Sequence, residues 1–372
     1  MKKWTLIAVP AALLLVIVAG LGYLWMTRHP PVLTVVTWEG TYGRAQITGQ
    51  ILPFARTSRT DVLFKVYDGG TKELANEVAT RQYGWDVIDL ELPDAVAACS
   101  QGLLEPIAAA SLPVGPGGTP AAEDFVPGAI GPCWVASVVY SQVIAYNPRS
   151  MLGNVRQTPT SLSDFFDLQR FPGKRAMNRA NAKLNLEMAL LADGVAPKEI
   201  YAVLSTPAGV ARALAKFDTI RAELVWWNAS GEPAQMLADG RAKFATMPNW
   251  AAFDADMLAN GPKLGVIWDR QLYEFEVLGI PKGDPKRVLA MDYVRFATQA
   301  QQLARVSNWA AFGPARRSAL PLVRENPEFK VAMTPYLPTA HFETAFAVDD
   351  GWWRLHGASV EPLWQAWLAK GQ

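Results

Sequence analysis

The chain has 372 residues, half of them hydrophobic and 19% charged, which permits a large core and excludes wholesale disorder. At roughly 100–200 residues per domain this length predicts two domains or one bilobed body. Thirty-five basic residues against 34 acidic ones give a net charge of +1, without the basic excess of a nucleic-acid binder. Three histidines and two cysteines, with no C-x-x-C and no H-E-x-x-H, predict no metal site. Neither the phosphate-binding G-x-x-x-x-G-K-[ST] nor the G-x-S-x-G of serine hydrolases occurs. Fourteen tryptophans must serve a core or a flat-sided binding site.

In chain order, Lys2 and Lys3 precede an uncharged run from Trp4 to Thr27, and Arg28 ends it. A helix of that length would rise about 36 Å, enough for a hydrocarbon core of about 30 Å. The run ends without an A-x-A-like cleavage site or a following cysteine, so an uncleaved signal anchor is favoured over a cleaved peptide. The lysines would stay cytoplasmic and the remainder would be exported. In an oxidising space, Cys99 and Cys133 suggest one disulfide, the alternative being two buried thiols.

Val32–Thr37, Asp61–Tyr67 and Trp85–Leu90 read as strands, with helices at Gly43–Ala55, Thr71–Arg81 and Pro93–Gln101 between and after them. This alternation implies parallel strands with crossover helices. Proline and glycine crowd Pro113–Pro120, a surface loop. Trp134–Tyr146 is a long β-rich run that carries the chain from one lobe to the next. Helical signals follow at Ser163–Gln169, Leu184–Ala192, Pro197–Leu204, Pro207–Phe217 and Pro233–Ala238. Arg241–Met247 and Tyr273–Ile280 return to strand, and helices at Pro285–Thr298, Gln301–Asn308 and Pro362–Lys370 complete the chain. The expected organisation is an anchor at 1–28, a first lobe of 29–140 with 280–345, a second lobe of 141–279, and a helical tail at 346–372. A site between lobes is the default for such a body.

Several segments carry a resemblance. They include TWEGTYGRAQ at 37–46, YDGGTKEL at 67–74, WDVIDLELPDAVAACSQGLLEPI at 85–107 and LSDFFDLQRFPGKRAM at 162–177. NLEMALLADGVAPKEIYAVL at 185–204, the WW…P…ADG spacing within 215–240, AAFGPARRSAL at 310–320 and DDGWWRLHGASVEPLWQAWL at 349–368 extend it. On these the chain resembles periplasmic solute-binding proteins of the spermidine/putrescine-binding type, which feed ABC importers. The resemblance implies an α/β, two-lobed type II periplasmic binding protein fold, here preceded by an N-terminal transmembrane helix. It implies an ABC permease with its ATPase as partner; the uncharged N-terminal run adds the inner membrane as the tether, the charge balance speaks against nucleic acid, and no cofactor is expected. Such relatives often pair the two cysteines that correspond to Cys99 and Cys133.

Polyamine receptors line their sites with aromatic walls and carboxylates. By that likeness Trp38 and Glu39 sit at the end of the first strand, and Asp68 sits at the end of the second. Trp250 follows the strand at Arg241–Met247. Tyr273, Glu274 and Glu276 lie on the returning strand, where Glu274 and Glu276 share a face because side chains alternate with period 2. Phe312 falls where relatives often carry a tyrosine. Asn181 and Leu184 stand where polyamine receptors have an Asp and a Glu, so a long polyamine would lack a partner at one end. Arg175, Arg179 and Lys183 read as a solvated rim, and Trp226-Trp227 reads as core. The ligand expected is a small organic cation, a monocation or short diamine binding better than spermidine. A membrane-anchored ligand sensor of the same fold is the alternative. An enzyme would need a nucleophile with a base; His29, His341 and His356 lie only at the tether or tail, so none is expected.

Overall fold

The computed structural model describes residues 30–151, 158–180, 182–258 and 261–370. The expected anchor at 1–28 lies outside them, as does Asn181. Among the described residues no helix is long and apolar enough to cross a membrane.

Among the described residues ten strands form one sheet: β1 (Val32–Thr37), β2 (Asp61–Val66), β3 (Val87–Glu91), β4 (Val135–Tyr146), β5 (Arg175–Asn178), β6 (Leu224–Trp227), β7 (Phe244–Pro248), β8 (Gly265–Gly279), β9 (Gly313–Pro314) and β10 (Phe346–Ala347). Their order is β2-β1-β3-β8-β4-β7-β5-β6, with β10 on β8 and β9 on β4. β1 pairs in parallel with both β2 and β3, as β5 does with β6 and β7. Parallel neighbours need crossover segments, and helices supply them. The first is Gly40–Gln46, which runs through a π-helical turn at Ile47–Ile51 into Leu52–Ser58. Gly49 sits in that turn because the helix Ala300–Trp309 packs hard against it. A Cβ there would lie 2.9 Å from the backbone nitrogen of Val306.

β4 and β8 are long, antiparallel and central, and they run from one lobe into the other. β8 begins at Gly265, earlier than the alternation from Tyr273 suggests, because its first residues pair with the end of β4. On one side of this crossing, Leu33, Ile88, Leu278, Tyr293 and their neighbours form an apolar core. On the other, Phe165, Leu186, Phe217 and Phe244 form a second. The terminal helix Asp350–Ala369 starts twelve residues before Pro362 and buries Val360, Trp364, Trp367 and Leu368 in that second core. Asp349 caps it by accepting from the Trp352 amide at 2.9 Å, which sets the start more strongly than the proline preference does. β6, unforeseen in a stretch of helical signals, holds Trp226 and the buried Trp227.

Cys99, near the end of the helix Leu92–Ser100, is bonded to Cys133, two residues before β4. The expected disulfide is present, with Cα atoms 5.8 Å apart.

Candidate functional site

The site begins at the carboxyl end of β1, where open α/β sheets place their ligands. Trp38 follows that strand, and its indole Nε1 donates to Glu276 Oε2 at 3.1 Å and to Asp89 Oδ1 at 3.3 Å. Asp89 belongs to β3 and Glu276 to β8, which are antiparallel neighbours. The helix Gly40–Gln46 brings two more donors to Asp89: the Tyr42 hydroxyl at 2.9 Å and the Gln46 amide. Asp89 is 0% exposed and Glu276 7% exposed. Neither has a cationic partner among the described residues.

Burial without a counter-ion sets the chemistry of this pair. Loss of hydration lifts Asp89 to about 7, against which the Tyr42 and Gln46 hydrogen bonds act. Burial also holds Glu276 well above the usual carboxylate range, and the negative charges of Asp89 and Glu91 add to it. Each carboxyl disfavours ionisation of the other, which favours a proton held on the pair. An ammonium group is the natural replacement for that proton.

A second polar group lies two residues back along the same face of β8. Lys183 Nζ donates to Glu274 Oε1 and, at 2.5 Å, to Asp350 Oδ1. Tyr140 sits opposite Glu274 across the β4–β8 pair, and Glu91 sits opposite Glu276 across β3–β8. Burial, then the charge of Glu274, raises Asp350 to about 7. Glu91 is likewise raised by burial and by Glu274, with Lys183 acting the other way.

Aromatic rings close over this face. Phe312 stacks on Tyr42 with ring centres 4.6 Å apart, and Trp250 lies parallel to Phe312 within 9° at 6.3 Å. Tyr140 meets Phe312 edge-on at 6.4 Å, and Trp38 packs on Tyr67 at 4.9 Å. Asn249 fixes Trp250 in place. Its Oδ1 accepts from the Ser141 amide at 2.9 Å, and its Nδ2 donates to Ala311 O at 2.6 Å. That ties the helix Asn249–Met257 to β4 and to the loop bearing Phe312.

Of the residues singled out in the sequence, the structure thus brings together Trp38, Trp250, Glu274, Glu276 and Phe312. Glu39 is exposed at the start of the helix Gly40–Gln46, and Asp68 is exposed beyond β2. Tyr273 points to the opposite face of β8 and packs in the core on Phe275 and Phe342. Asn181 is outside the described residues, and Leu184 is a half-buried residue packed on the second core, with φ of +69°. Two rim assignments are corrected. Arg175 is buried, donating to the carbonyls of Phe165, Gly173 and Asp167. The Lys183 side chain is only 18% exposed and doubly ion-paired.

Sequence reasoning passed over Asp89, Tyr42, Glu91, Tyr140 and Asp350. One signal was present: Asp89 interrupts the apolar stretch Val87–Leu90, where an acid must have a purpose or a partner. A hollow of about 540 Å³ nearby is lined by Thr41, Arg44, Asp254 and Trp309 but by none of these carboxyls. Its lining is half-buried to exposed and holds no pair of fully buried carboxyls, so the acidic face is the better candidate.

The chain matches the family of bacterial extracellular solute-binding proteins over residues 57–334. It is 34% identical to a gamma-aminobutyric acid-binding protein of Pseudomonas aeruginosa over 338 residues, 91% of each chain. Among solved structures it is similar to the Atu4243 GABA receptor, with a TM-score of 0.72 and 27% identity over 90% of this chain and 97% of that one. A spermidine/putrescine substrate-binding protein of Streptococcus pneumoniae shares the fold, with a TM-score of 0.68 over 91% of this chain and 99% of that one, at 13% identity. The two-lobed periplasmic binding protein fold is therefore established, and the spermidine/putrescine type is not. Proteins of this kind bind small solutes outside the cytoplasm and work with a permease and its ATPase. The chain belongs to the bacterial extracellular solute-binding proteins and is a substrate-binding protein of the ABC-transporter type, not an enzyme.

Proposed function

We propose that the cleft captures a small primary ammonium compound on a short carbon chain, with ω-amino acids such as GABA as the leading class, for delivery to a permease. The observation that carries this reading is the buried Asp89–Glu276 pair, which has no cationic partner among the described residues. A buried carboxylate without a counter-ion is costly unless protonated or paired. An ammonium ion offers three donors to these oxygens. Trp250, Phe312 and Trp38 would cover its methylenes and add cation–π attraction. GABA is the ligand named for the curated relative and for the similar solved receptor, and it has the single ammonium this pair can hold. The sequence-based expectation of a small organic cation gives way here to a zwitterion of which only the ammonium end is retained, and spermidine is disfavoured.

We also propose that the first 28 residues remain as a membrane anchor, on the strength of the uncharged run from Trp4 to Thr27. A tether would raise the receptor's effective concentration beside its permease. A native N-terminus near Arg28 or His29 would refute this part. The ligand class is tested by native mass spectrometry of protein purified without added solute. A retained small amine supports the proposal; a retained sugar or anion contradicts it.

A further inference from the structure

Resting on the amine-binding reading, we infer that Lys183 is the specificity-determining residue for the far end of the ligand: it admits a carboxylate and rejects a second ammonium.

Glu274 and Glu276 are neighbours on one face of β8, about 7 Å apart along the strand. That is the span of a four-carbon chain with a charged group at each end. One end of such a chain belongs at Asp89 and Glu276. The other end then falls beside Glu274 and Asp350, the two acids that Lys183 bonds. Two carboxylates there would suit a second ammonium, and a diamine would be the obvious ligand. The chain supplies that ammonium itself. Lys183 Nζ reaches in from the second lobe and bonds both Glu274 and Asp350. Its backbone is fixed by an uncommon neighbour: Leu184 has φ of +69°, a conformation that non-glycine residues hold only where surroundings enforce it. The Lys183 ammonium has three donors, and two are used. Among the described residues the third meets no partner, which leaves it for an incoming carboxylate.

The geometry carries a further mark of a site built for charge. Asp350 is 4% exposed, and its Oδ2 has no partner among the described residues. A second ammonium delivered by a ligand would have to share these acids with a cation already in place. A carboxylate would meet that cation beside Glu274, with Asp350 held toward its neutral form by burial and by the charge of Glu274. Specificity by a repulsive element is a general way to separate ligands of equal length.

The test measures Kd for GABA and for putrescine by titration calorimetry on the full chain and on three variants. Lys183→Met should weaken GABA and tighten putrescine, moving their ratio by about a hundredfold or more, since each effect is worth about tenfold. Lys183→Arg keeps the charge and should keep GABA preferred. Should Lys183→Met fold poorly with its acids exposed, Glu274→Gln gives the opposite sign with the lysine retained: putrescine weaker, and the ratio further toward GABA. A ratio that stays within about twofold in the charge-changing variants, while the native chain binds GABA, overturns the role of Lys183 and leaves the amine reading standing. A native chain that binds neither compound sinks both.

Discussion

Replacing Glu276 by Gln removes one charge from the buried pair while preserving shape. The amide oxygen still accepts from Trp38 Nε1, whose distance to Glu276 is 3.1 Å. A hydrogen bond between an ammonium and a carboxylate contributes about 1.5–3 kcal/mol, so GABA should bind about 10- to 150-fold more weakly. The loss should depend on pH. Asp89 titrates near 7, and Glu276 is raised by burial and by its acidic neighbours. At pH 6 the native pair already holds a proton, so the variant loses little; at pH 8 it loses most. Stability should move the other way. A carboxyl whose native pKa lies above its unfolded value of about 4 binds more protons when folded. Its contribution to stability is complete at low pH and declines as pH rises from about 4 to about 7. Glu276→Gln relieves the like-charge repulsion that drives this decline. The ligand-free variant should be at least as stable as the native protein at pH 8, with a flatter stability profile between pH 5 and 8. Calorimetric titration at pH 6 and 8, with urea unfolding over the same range, reads both effects. An unchanged Kd at pH 8, or a variant markedly less stable there, refutes the reasoning.

Three further outcomes follow from named contacts. GABA affinity of the native protein should rise from pH 5.5 to 8, with protons released on binding, because the ammonium replaces the shared proton; a flat profile in buffers of different ionisation heat contradicts the pair's role. Reducing the Cys99–Cys133 bond, which closes a separation of 34 residues, should cost about 3–4 kcal/mol in a chain-entropy account, visible as a lower urea midpoint. Arg316 is 1% exposed and bonds Asp124 at 2.8 Å and Thr298 O at 2.7 Å; Arg316→Ala should cost about 3–5 kcal/mol by leaving Asp124 buried and unpaired, whereas a loss under about 1 kcal/mol would show the pair to be unimportant.

The framework of the fold was legible because its signals are local. β1 has the predicted ends, and β4 starts one residue inside the predicted run, since β-branched and aromatic residues make up most of both. Glu274 and Glu276 share a face through strand alternation alone. The same rule would have turned Tyr273 away from them, and the structure does so. Trp250 and Phe312 were found through likeness to relatives; their parallel stacking depends on Asn249 bridging two elements more than 60 residues apart in sequence, which no local pattern carries. Lys183 shows the limit most clearly. Near Arg175 and Arg179 it reads as one more solvated cation. Its partners Glu274 and Asp350 lie 91 and 167 residues away, and only tertiary structure makes it a buried charge.

The central claim is recognition of an ammonium group by Asp89 and Glu276, and three four-carbon compounds test it at one stroke. Calorimetric titration of the native protein with GABA, butylamine and butyrate separates the two ends of the ligand. The account predicts measurable binding of GABA and of butylamine, and none of butyrate. Butyrate binding as tightly as GABA, with butylamine silent, would contradict it.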